Sequence, residues 1–170
     1  MLSGTPAHVH AQAPVTQDEA LRSAFPAPLR VERRTAYLDR AQLQRASALA
    51  GHAVTQSVVN YYVAVGAHGA TGIAYFDGHR VRTHGEVLMF VVDTDARIRH
   101  TEVLVFAEPP EYRAPHRWLD LFAGRSLSPE LSHKRGIPNI SGATLTAQAV
   151  TNAARRVLAL HQVIDPFGSP

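Results

Sequence analysis

The sequence predicts an α+β fold: an antiparallel sheet flanked by helices and closed by a long C-terminal helix. Three observations predict it. Runs rich in Val, Tyr and Phe follow one another from Ser57 to Phe106 with no helical segment between them, as strands of one sheet do. Helical patterns stand before and after this block and do not alternate with it, which argues against βαβ units and a parallel sheet. The last stretch, Ala143 to Gln162, has apolar residues at helical spacing, and a Ser141-Gly142-Ala143-Thr144 turn opens it.

The elements follow in order. Residues 1–15 read as a flexible leader, small, polar and rich in Ala. Its Ala7-His8-Val9-His10-Ala11-Gln12-Ala13 has the texture of a signal-peptide cleavage region, without the apolar run that normally precedes one. The expectation is an extracytoplasmic protein, periplasmic or at the cell surface, with an incomplete or trimmed signal peptide. Val15 to Ala24 reads as a short helix. Thr16 and Glu19 have the capping-box spacing, and Pro26 and Pro28 end it. Leu29 to Leu38 begins in strand alternation. Asp39 caps a helix through Ala50, with Leu43, Ala46 and Leu49 or Ala50 as its apolar stripe, and Gly51 ends it.

Strands are predicted over Ser57 to Gly66 and Gly69 to Phe76, with Asp77-Gly78 as a turn. Val87 to Val92 is almost entirely apolar, as for a strand buried on both faces. With Ile98 to Phe106 it forms a hairpin across Asp93-Thr94-Asp95-Ala96. Glu108 to Pro115, with three prolines, is irregular. His116 to Phe122 is a short helix with Trp118, Leu121 and Phe122 on one side, and Leu127 to Asn139 is a polar loop. The final helix has Leu145, Ala149, Ala153, Val157 and Leu160 as its buried stripe. Arg155 and Arg156 lie toward its C-terminal end, where cations suit the dipole.

Composition narrows the function. The 170 residues suit a single domain, taken as 16–165 with a tail at 166–170. The net charge is +3 and the Lys and Arg residues are scattered, which favours a small anionic ligand over nucleic acid. There is no Cys, so disulfides, thiolate metal sites and a Cys nucleophile are excluded. No apolar run approaches the ~20 residues of a membrane span. The ten His form no HExxH or comparable metal spacing. No Gly-x-Ser-x-Gly elbow suggests a hydrolase, and no Gly-x-Gly-x-x-Gly suggests a nicotinamide site.

The turn at 141–144 is the remaining signal. Ser141 and Thr144 are good helix caps, and Gly142 lets backbone approach a ligand. Free N–H groups and the helix dipole make such a helix start an anion site. Capping alone would also explain these residues.

With the sheet before it, Ile140-Ser141-Gly142-Ala143-Thr144-Leu145-Thr146 resembles the FMN-binding domain. That family includes the flavin-carrying subunits of sodium-pumping NADH:quinone reductases and of Rnf-type complexes. It also includes extracytoplasmic electron-transfer and reductase-maturation proteins. Glu108-Pro109-Pro110-Glu111-Tyr112 is similar to the family's Glu-Thr-Pro-Gly loop at the flavin. Trp118-Leu119-Asp120-Leu121-Phe122, with Gly124-Arg125, is similar to its Trp/Phe-x-x-x-Phe-x-Gly-Lys stretch. The resemblance spans about Gly66 to Ile164 and is most specific from Gly124 to Val150.

In that family a flavin transferase joins the FMN phosphate to the last Thr of Asp-x-x-Ser-Gly-Ala-Thr. The resemblance therefore implies FMN as cofactor and Thr144 as the attachment residue. Pro138 stands where the family has Asp, beside Asn139, so covalent and tight non-covalent binding both stay open. The cofactor-binding candidates are Thr144, Ser141, Gly142, Ala143, Leu145, Glu108, Tyr112, Trp118 and Asn139. Tyr112, Trp118 and Leu119 are candidate ring walls, and Glu108 a polar contact to the ring or ribityl chain. Plain core is the alternative role for Trp118 and Phe122, and a solvated loop position for Glu108. Arg80 and Arg82 read as a solvent face, with the phosphate as the alternative. No catalytic residue and no metal ligand is assigned.

The function implied is an electron carrier with a redox partner protein, membrane-bound or soluble. The flavin transferase is a second partner if FMN is esterified. Two other readings are an FMN-dependent oxidoreductase acting on a small acceptor, with 127–139 as a lid, and a flavin-free interaction domain.

Overall fold

A computed structural model describes residues 15–27, 29–133 and 135–168; most of the predicted leader lies outside them. The elements are α1 (Gln17–Ala24), β1 (Arg30–Tyr37), α2 (Arg40–Ala50), β2 (Val58–Gly66), β3 (Gly69–Arg80), β4 (Gly85–Val92) and β5 (Ile98–Phe106). After them come a 3-10 turn (Pro110–Tyr112), α3 (His116–Leu119) continued by a 3-10 turn (Asp120–Phe122), and α4 (Thr144–Ile164). The strands form one antiparallel sheet in the order β1-β2-β3-β4-β5. The α+β class and the β4–β5 hairpin match the sequence reading.

Local rules explain the ends. Thr16 and Asp39 both make complete capping boxes, with Glu19 and Gln42 at N3, and Gly51 is the C-cap of α2. Strand alternation divides the core in two. Val63, Ile73, Tyr75, Leu88, Phe90 and Ile98 face α2, α3 and α4. Ala64, Ala74, Met89, Val91 and Leu104 face α1, packing against Ala20, Leu21 and Phe25. β4 is covered on both faces, as its apolar run requires.

The structure corrects three sequence expectations. Asp77 and Gly78 are not a turn. They lie inside β3, paired with Leu88 and Val87, and the chain reverses at 81–84 instead. Of the stripe expected on α4, Ala153, Val157 and Leu160 are buried, with Ala147, Val150, Ala154 and Leu158 beside them, but Ala149 is half-buried and Leu145 is 45% exposed. Successive steps of four residues overshoot a 3.6-residue turn by about 40° each, so a stripe that is buried from Ala153 onward falls off the inner face at its start. Leu121 also points outward, while Trp118 and Phe122 are buried against each other at 5.3 Å between ring centroids.

α4 has a defined direction over the sheet. Near its C-terminus, His161 Nδ1 lies 3.0 Å from the Tyr75 hydroxyl of β3. One and a half turns earlier, Arg156 meets Asp77, two residues further along β3. The N-terminus of α4 therefore points to the sheet end that carries the 81–84 turn and the segment leaving β5.

Candidate functional site

The site is built around the start of α4. Ala143 is the N-cap and makes no side-chain capping bond. Among the described residues, the backbone N–H groups of Thr144, Leu145 and Thr146 find no acceptor. The hydroxyls of Ser141 and Thr144 are exposed and make no hydrogen bond there either. Residues chosen by composition as caps thus do not cap. Gly142 has φ +77° and open space where a Cβ would stand. A helix start of this kind carries partial positive charge and three free donors.

The surrounding loops are held by specific bonds. Thr146 Oγ1, in the first turn of α4, donates to the Tyr112 carbonyl at 2.7 Å. The Arg82 guanidinium lies 4.7 Å from the centroid of the Tyr112 ring, a cation–π contact. A cation is thereby placed on a residue tied to the helix start, although alternation had suggested a plain solvent face for Arg82. Trp118 Nε1 donates to the Pro138 carbonyl at 2.8 Å, and Arg125 donates to the Leu121 and Gly136 carbonyls at 3.2 and 3.4 Å. Two side chains of the 118–125 stretch therefore fix the chain just before the turn. Ile137 is buried between these contacts.

Glu108 has a different place from the one expected. Its side chain is buried, and Oε1 accepts the backbone N–H groups of Arg82, Thr83 and His84 at 3.1, 2.8 and 2.9 Å. His84 Nδ1 lies 3.3 Å from Oε2. These bonds, the backbone N–H groups of His84 and Thr83 first, pull its pKa down to about 2. Its carboxylate is used up in shaping the 81–84 turn that carries Arg82. Trp118 and Leu119 are core residues, 7% and 2% exposed. The structure brings Tyr112, Trp118 and the turn together through backbone carbonyls, not as bare ring walls. Asn139 is exposed, with no hydrogen bond among the described residues.

Residues 84–159 match the family model of the FMN-binding domain. This stretch is an FMN-binding domain. Its cofactor is FMN, and the residues present fit that group. A phosphate monoester needs several N–H donors and positive potential, and the open start of α4 offers both. The matched stretch contains the Glu108 segment, Tyr112, Trp118 and the whole 141–145 turn; Arg82, which lies against the Tyr112 ring, is just outside it. No curated protein matches the chain.

Several residues that build the FMN-binding domain gave no signal in the sequence. Thr146 was hidden by the phase error along α4. Arg155 and Arg156 suggested only a favourable dipole position, but both are anchors. Arg155 donates to the carbonyls of Ala50, Leu49, Ser128 and Leu131 at 2.7 to 3.3 Å. Arg156 makes a two-pronged pair with Asp77 at 2.6 and 2.7 Å. His79 joins this network, with Nδ1 2.9 Å from Asp77 and Nε2 3.0 Å from Glu86. Burial alone would lower the pKa of His79, but hydrogen bonds and charge from Asp77 and Glu86 outweigh that and raise it to about 9. Among the described residues, no group of three or more ligating side chains could hold a metal, and no helix is long and apolar enough to cross a membrane.

Proposed function

We propose that the protein is an electron carrier that holds the phosphate of FMN on the Ser141–Thr144 turn and the first turn of α4. The observation that carries this reading is the uncapped start of a 21-residue helix, with three N–H donors and two hydroxyls that find no partner among the described residues. The backbone N–H groups of Thr144, Leu145 and Thr146 bind the phosphate oxygens. Arg82 adds positive charge from the Tyr112 side. Tyr112 and Leu145 offer apolar surface beside the turn. FMN, when bound, supplies the redox chemistry, and the protein supplies its position and the local field.

The Thr144 hydroxyl would be the acceptor for a phosphoester when a flavin transferase supplies an activated flavin: the Thr144 O–P bond forms as the phosphoanhydride of a flavin dinucleotide breaks, the nucleoside monophosphate leaves and the hydroxyl loses its proton. Its exposure and lack of a hydrogen-bond partner support that role. A covalent bond would suit an extracytoplasmic location, where FMN is not replenished, and a cysteine-free chain also suits such a place. The electrons pass to and from a partner protein.

Intact mass after co-production with a flavin transferase tests both parts. A gain of one esterified FMN (FMN less water), abolished by Thr144→Val, supports the phosphoester. Bound flavin that is released on denaturation supports non-covalent binding at the same turn. A colourless protein that takes up no FMN on incubation sinks the proposal.

A further inference from the structure

We propose that Arg156 and Asp77 are positioning residues for the FMN phosphate site, setting the register of α4 on the sheet; this rests on the function proposed above. The core-facing surface of α4 mixes small and larger side chains: Ala147, Ala153, Ala154 and Ala159 are fully buried along it, among Val150, Val157, Leu158 and Leu160. Apolar burial has no fixed direction, whereas a two-pronged Arg–carboxylate pair has a defined geometry and so can set the axial position of α4. The first turn makes no side-chain capping bond, and among the described residues its one side-chain hydrogen bond runs from Thr146 to Tyr112.

Besides His161 against Tyr75 near the C-terminus, the specific contacts to the sheet and to α2 lie in the middle of the helix. Arg156 grips β3 through both oxygens of Asp77. Its neighbour Arg155 grips the last carbonyls of α2 and the 128–131 segment. Adjacent helical residues are about 100° apart around the axis, so the two guanidiniums hold α4 from different sides. Two anchors that are not collinear fix both rotation and translation. Asp77 is itself held by His79, which reaches Glu86 on β4, so the grip extends across two strands. His52 stands 3.4 Å from Arg156 on the remaining side. Twelve residues of rigid helix then carry this register to Thr144.

A stabilising role alone is a poor account of the pair. A buried ion pair gives little net stability over apolar residues of similar size, whereas its geometry can specify register. The two roles separate experimentally. The double variant Asp77→Leu/Arg156→Met removes the grip while keeping the local charge balance. Its melting temperature without FMN is expected to fall by several degrees, because His79 Nδ1 loses its acceptor, so binding is compared well below the melting of either protein. Its Kd for free FMN, read by quenching of flavin fluorescence, is expected to rise at least tenfold. Arg156→Lys keeps the charge but loses the fork, and is expected to weaken FMN binding about threefold or more. It also covers the case in which the double variant fails to fold. A Kd within twofold of wild type, in either folded variant, overturns the inference. Failure of the wild-type protein to bind FMN would overturn the proposed function, and this inference with it.

Discussion

Trp118 donates its indole N–H to the carbonyl of Pro138, 2.8 Å away and twenty residues along the chain. This bond fixes the backbone three residues before Ser141. It joins two segments that resemble the same family and shows why they act together. Trp118→Phe removes the donor, leaves the carbonyl short of a partner and costs about 1–3 kcal/mol. For a chain of this size that lowers the melting temperature by several degrees. The flavin affinity should fall by more than in a control, Phe122→Leu, which trims the same cluster without touching Pro138. Equal losses in the two variants would show that the bond adds nothing to the site.

Pro138 stands where the family carries Asp, and its side chain is exposed. Pro138→Asp should increase the fraction of protein that a flavin transferase modifies, measured by intact mass. The non-covalent Kd for FMN should change little, because the carbonyl of residue 138 remains available to Trp118. An unchanged modified fraction would mean that the transferase does not read this position.

Glu108 gives the site a pH limit on the acid side. Its carboxyl pKa falls from 4.5 to about 2 on folding, through the N–H groups of His84, Thr83 and Arg82. A depressed pKa contributes stability above the unfolded value, and that contribution is lost as pH falls toward the folded one. The 81–84 turn should therefore loosen between pH 4.5 and about 2. Glu108→Gln should lower stability at pH 7 and flatten the acid limb of the melting-temperature profile. A parallel acid limb in the variant would exclude Glu108 as its cause.

His79 sets the opposite limit. Its pKa rises from 6.5 to about 9 in the folded protein. A raised pKa contributes stability that is complete below the unfolded value and fades as pH rises through the folded one. Stability should thus decline between pH 6.5 and about 9. His79→Gln should be less stable at pH 6 and nearly flat across that window. Hydrogen exchange along α4 gives a second readout, since loss of the imidazolium leaves Asp77 and Glu86 facing each other.

Two glycines near the turn should behave differently. At Gly142 an added Cβ meets open space, so Gly142→Ala costs only the left-handed backbone, about 1–2 kcal/mol. At Gly136 the Cβ would run into the backbone carbonyl of Glu130, which cannot move aside as a side chain does. Gly136→Ala should displace the segment that Arg125 and Trp118 hold and weaken FMN binding more than Gly142→Ala. Paired melting and FMN titrations of the two variants check the order.

The parts of the fold that were legible in the sequence were those fixed by local chemistry. Thr16 and Asp39 announced their helices through capping boxes, and the run from Val87 to Val92 announced a strand covered on both sides. The phase of the first half of α4 was not legible, because Ala and Thr stand on both its faces there and give little hydrophobic contrast between them. The turn at Ser141–Thr144 was visible by resemblance, but its open donors were not, since Ser and Thr are equally good caps. Glu108 was noticed and given a ligand contact; only the three-dimensional return of the 81–84 turn shows where its carboxylate goes. The Asp77–Arg156 pair joins residues 79 positions apart and left no local trace.

α4 also sets the polarity of the whole molecule. Its 21 residues span about 30 Å, so the chain that continues beyond Ile164 emerges at the end remote from Thr144. A tether, tag or surface linkage placed after Gly168 would present the Ser141–Thr144 turn outward, away from the support. The same linkage made at the 81–84 or 107–112 loops would bury that face against the support.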